Sequence, residues 1–167
     1  MERSKTYHLA LMGLLTALLF MGQVIMSFLP NIEIISLLVI LYTIFFGRKV
    51  FWMIYVFVFL EGFLYGFGMW FFNYLYVWTV LALAAMAMKR LKHPLWWALL
   101  SGLFGLAFGL LCAPVYIAVG GVEYAFAWWI SGLPFDYPHA IGNFVIALCL
   151  FVPLRKLLAQ LYSKMHP

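Results

Sequence analysis

Apolar runs long enough to cross a membrane recur along this whole chain, and its basic residues fall only in short gaps between them. That alternation constrains the fold more than any single motif, because about 20 apolar residues let a helix cross roughly 30 Å of hydrocarbon. The 167 residues are 68% hydrophobic and 9% charged, against about 45–50% and about 25% in soluble domains. A water-soluble domain could not cover itself with so few charges. The expectation is an all-α membrane protein, built as one integral domain over residues 1–167.

Turn and charge signals cut the chain into six spans, at about 8–29, 32–46, 50–66, 69–88, 95–119 and 136–158. With the N-terminus inside, the cytoplasmic segments are 1–7, 47–49, 89–94 and 155–167. All 10 Lys and Arg lie in them, and of the 5 acids only Glu2 does. This is the positive-inside pattern, and it predicts six spans with both termini cytoplasmic. The net charge of +5 is thereby read as a topology marker rather than as a nucleic-acid footprint. The basic start with Arg3 and Lys5 lacks a small-residue cleavage site and reads as a retained signal anchor. Cys112 and Cys149 sit inside apolar helices and read as packing residues.

The polar residues inside the spans gather toward the outer side. Gln23 lies in the outer third of the first span, Glu33 opens the second, Glu61 is near the outer end of the third, and Asn73 and Trp78 begin the fourth. In the last span Asp136, His139 and Asn143 fall at i, i+3 and i+7, on one helical face. Polar groups in hydrocarbon are costly unless partnered, so the stripe reads as a binding site, an outward-opening polar pocket closed below by apolar packing. Simpler roles stand beside that one. Asp136 and Glu33 could each cap a helix start, and a neighbouring helix could satisfy His139 and Asn143. Glu61 has no Lys or Arg in any span to meet, so either His139 or a cationic or donor-rich ligand is its expected partner. The longest connection, Gly120 to Phe135, holds Glu123, Trp128 and Trp129, which read either as an interfacial belt or as a lid over the pocket.

Small residues form two further patterns, Gly13 with Ala17 and Gly102 with Gly105 and Gly109, which let helices approach closely. No phosphate-binding loop of the Gly-x-x-x-x-Gly-Lys-Ser/Thr type is present, so uphill transport would draw its energy from another polypeptide. No cofactor or metal site is expected.

In length, span number and motifs the chain resembles the substrate-binding S components of energy-coupling factor vitamin transporters. The likeness is carried by Gly13-x-x-x-Ala17 in the first span, close to the family's Ala-x-x-x-Ala, by the Pro30-Asn31-Ile32-Glu33 junction, and by Pro134-Phe135-Asp136-x-x-His139-Ala140-x-Gly142-Asn143. The resemblance implies a multi-pass protein of a prokaryotic plasma membrane, not an enzyme, that captures a vitamin or related micronutrient in an outward pocket. It implies as partners a transmembrane coupling subunit, docked on the face bearing Gly13 and Ala17, and two cytoplasmic ATPases. Glu61, Asn73, Trp78, His139 and Asn143, with Gln23, Glu33 and Asp136, are the expected pocket, and Trp128 and Trp129 its lid. Two other readings compete: an intramembrane enzyme using His139 and Glu61 as acid and base, and a structural membrane protein with no ligand.

Overall fold

The computed structural model describes residues 2–164, with side chains from Thr6 onward, so the side chains of Glu2, Arg3 and Lys5 lie outside the described residues. The protein is all-helical, with no strand among the described residues. Helix α1 covers Glu2–Met26, α2 Ile35–Phe46, α3 Val50–Tyr65, α4 Met69–Ala87 and α5 Pro94–Ser163, with a 3-10 turn at Gly47–Lys49. Four stretches are helical, long and apolar enough to cross a membrane: Thr6–Met26, Ile35–Tyr65, Met69–Ala87 and Pro94–Ser163. The six expected spans thus stand as four continuous apolar stretches. Two of them are interrupted, one at the Gly47–Lys49 turn and one at Gly121.

The break at Gly121 matters most. Its backbone, at φ 82 and ψ −179, lies where only glycine is comfortable. Beyond it the chain folds back on itself. Trp97 stacks on Phe151 with ring centroids 5.7 Å apart, and Tyr116 stacks on Trp128 at 3.9 Å. Between these contacts the two limbs approach so closely that a methyl on Gly105 would sit 2.9 Å from the His139 carbonyl. Gly102 and Gly109 likewise face Phe144 and Asp136. This small-residue stripe therefore works inside the molecule.

The connection expected over 120–135 is not one: residues 122–135 are helical and continuous with the stretch that follows. Gly132, Pro134 and Pro138 looked like punctuation, yet Pro114, Pro134, Pro138 and Pro153 all lie within α5. Packed or membrane helices tolerate proline when neighbours satisfy the freed groups. The helix also runs on to Ser163, through what the sequence suggested was a separate tail. At the other end, α1 stops at Met26, and the connection to α2 spans 27–34 rather than the two residues Pro30-Asn31.

Helix α2 is the centre of the bundle, packed against α4 and α5, while α1 lies on α3. Its apolar residues Ile35, Leu37, Val39, Ile40 and Leu41 are all buried, the signature of a helix enclosed on every side. The outer surface is apolar too: Leu9, Phe28, Trp52 and Phe63 are each more than 70% exposed. Hydrocarbon tolerates such a surface; water does not.

Candidate functional site

A cavity of about 260 Å³ lies where the α1–α2 connection meets α4 and both limbs of α5. Gln23, Glu33, Trp78, Asp136 and His139, all candidates from the sequence, line it. Tyr74 and Phe108 join them, and the connection supplies Asn31 and Pro30.

One wall is a corner of three rings. Tyr74 and Trp78 stand one turn apart on α4 and meet edge-to-face at 5.5 Å. Phe108 lies 6.4 Å from Tyr74 and 6.1 Å from Trp78, and touches the His139 ring at 5.1 Å. Trp78 is 1% exposed, yet its indole N–H has no hydrogen-bond partner among the described residues. An unpaired buried donor costs about 1–3 kcal/mol.

The opposite wall is polar. The Ser36 N–H donates to Glu33 Oε2 at 2.8 Å, and the Ser36 hydroxyl donates to Oε1. Asn143 Nδ2 donates in turn to Ser36 Oγ at 3.1 Å. His139 Nε2 lies 3.4 Å from Glu33 Oε1, an ion pair when the imidazole is protonated. Glu33 thus caps the start of α2 and faces the cavity at once. Burial acts to raise its carboxyl, but His139 and the Ser36 hydrogen bonds outweigh burial and hold it below its ordinary value.

Asp136 does not cap a helix. It sits within α5, 5% exposed, and its Oδ1 accepts the Gly109 N–H at 3.2 Å. Its Oδ2 is buried and has no partner among the described residues.

The remaining expected site residues lie elsewhere. Glu61 is buried but does not line the cavity, and its Oε1 has no partner among the described residues. The carboxylate that His139 meets is Glu33, which replaces the expected pairing with Glu61. Glu61 still lies within electrostatic reach of Tyr74. Asn73 is buried beside the cavity wall, where its Oδ1 accepts from the Tyr76 hydroxyl at 3.3 Å. Asn143 supports Ser36 from behind. Trp128 and Trp129 do not cover the opening: Trp128 stacks on Tyr116, Trp129 meets Phe126 at 6.0 Å, and Glu123 is exposed on the same helix. Gly13 and Ala17 lie apart, in an apolar groove of about 300 Å³ between α1 and α3 with Trp52, Met53 and Val56. Nothing lies within 4 Å of a methyl placed on Gly13.

Sequence reasoning missed Tyr74, Phe108 and Ser36. Tyr74 was legible as the i−4 neighbour of Trp78, and Ser36 as the i+3 partner of Glu33. Phe108 carried no signal, since one phenylalanine among 17 is unremarkable. Among the described residues no three His, Cys, Asp or Glu side chains gather to hold a metal. What the arrangement can do is bind: the rings of Tyr74, Trp78 and Phe108 and the side chains of Glu33, Asp136 and His139 line one small space. No protein-family model matches this chain, and no curated protein or solved structure matches it.

Proposed function

We propose that this protein is the substrate-binding subunit of an ATP-driven importer of the energy-coupling factor type, capturing a vitamin or related micronutrient from outside the cell. In this reading each interrupted stretch is a pair of spans, giving six, with both termini cytoplasmic and the cavity open to the outside. The confinement of all 10 Lys and Arg to four segments supports that orientation. The protein binds and does not turn over its solute. A separate coupling subunit and two ATPases supply the energy, in keeping with the lack of a phosphate-binding loop in the sequence.

The observation that carries the reading is the cavity itself. It is lined by aromatic and polar side chains together, and two of its residues, Trp78 and Asp136, each carry a buried polar atom with no partner among the described residues. Ligand sites have this character: an apolar wall with a few convergent polar groups.

Native mass spectrometry of the gently purified protein tests it. A small molecule should co-purify with wild type and be depleted in Trp78→Ala. No adduct, together with no saturable binding from a vitamin panel, would refute the assignment.

A further inference from the structure

Resting on that reading of the cavity, we infer that its ligand is a small cationic aromatic, one ring or two with an ammonium- or amidinium-like group. The ring lies in the corner of Tyr74, Trp78 and Phe108, and the positive group meets the Asp136 carboxylate.

Charge is the first ground. Two carboxylates line the cavity, Glu33 and Asp136. Among the described residues no Lys or Arg lines it, and His139 brings at most one positive charge. An anionic solute would meet two carboxylates with only His139 to offset them.

Hydrogen-bond supply is the second ground, independent of charge. Glu33 is already engaged, since both its oxygens accept from Ser36. Asp136 also lines the cavity, but it holds the Gly109 N–H with Oδ1 alone, and its buried Oδ2 has no partner among the described residues. A carboxylate oxygen only accepts, so its complement is a donor, and a charged donor binds it most strongly. The Trp78 indole offers the reverse, a donor asking for an acceptor such as a ring nitrogen or carbonyl. The wall of rings fits a flat solute and also favours positive charge, because aromatic faces are electron-rich.

Size is the third ground. About 260 Å³ is below the range of about 300–1,000 Å³ usual for drug-sized ligands. It excludes large cofactors and suits a single ring bearing a short polar arm.

Three matched probes test this by calorimetry on the full chain in detergent: benzamidine (cation), benzamide (neutral) and benzoate (anion). Benzamidine should bind at least about tenfold tighter than benzamide, with benzoate weakest. Asp136→Asn, which keeps the oxygen facing Gly109, should erase most of that preference, and Glu33→Gln should reduce it. The wild-type ranking decides even if a variant fails to fold. Benzamide or benzoate binding as well as benzamidine would overturn the inference. So would a preference unchanged in folded Asp136→Asn, or no binding by any of the three. If a small molecule still co-purifies in that event, only the charge assignment falls; if nothing co-purifies either, the pocket reading falls with it.

Discussion

At the scale of single residues, Glu33 shows how one side chain serves fold and site together. It caps α2 through Ser36 and meets His139 across the cavity wall. Because its carboxyl is held below its ordinary value of 4.5, its contribution is present above that value and is lost as pH falls through the lowered one. Acidification from about pH 6 to about pH 3 should therefore lower the melting temperature of wild type more than that of Glu33→Gln, in which the group no longer titrates. Parallel melting curves would show that the carboxyl is not held in this way. The contrast with Glu61 is instructive. Both acids looked like pocket residues in the sequence, because depth along a helix can be counted but direction around it cannot be read without the neighbours. Glu33 turns inward with the chain that leads into α2, whereas Glu61 sits on α3, off the cavity wall.

At the scale of elements, the sequence was most legible where chemistry is abrupt. The ends of α2, α3 and α4 fall within a few residues of the glycine and charge signals, since a basic cluster or a positive φ leaves a helix little choice. It was least legible across 120–135, where Gly120 and Gly121 imply a loop and residues 122–135 are instead helical. Tyr116 on Trp128, and Gly109 on Asp136, hold that helix against its own propensity. The two small-residue patterns looked alike in sequence and differ in the fold. Gly105→Ala, which drives a methyl to 2.9 Å from the His139 carbonyl, should destabilise by about 1–3 kcal/mol. Gly13→Ala, with nothing within 4 Å of the added methyl, should melt within about 0.5 kcal/mol of wild type. Equal melting shifts for the two, measured in the same detergent, would contradict the fold-back of α5.

At the scale of the whole molecule, the open stripe of Gly13 and Ala17 and the polar cavity are separate surfaces, one in the α1–α3 groove and the other where α1 gives way to α2. The two roles proposed for them should come apart under mutation. Gly13→Leu combined with Ala17→Leu should abolish co-purification of ATPase partners and leave ligand affinity within about twofold, as expected for sites with no shared residues. Loss of both together would mean that the groove serves the cavity. The cavity has one further property. Its other walls are helical, but the α1–α2 connection is held by a few turns, Leu29 to Met26 at 2.9 Å and Ile32 to Leu29 at 3.2 Å, and passes through Asn31 at φ 60. A captured solute escapes past the wall that rearranges most readily. On the proposed reading, residence time would be governed by residues 27–34 and selectivity by the rings and carboxylates, so how long a cargo is held and which cargo is chosen could change independently.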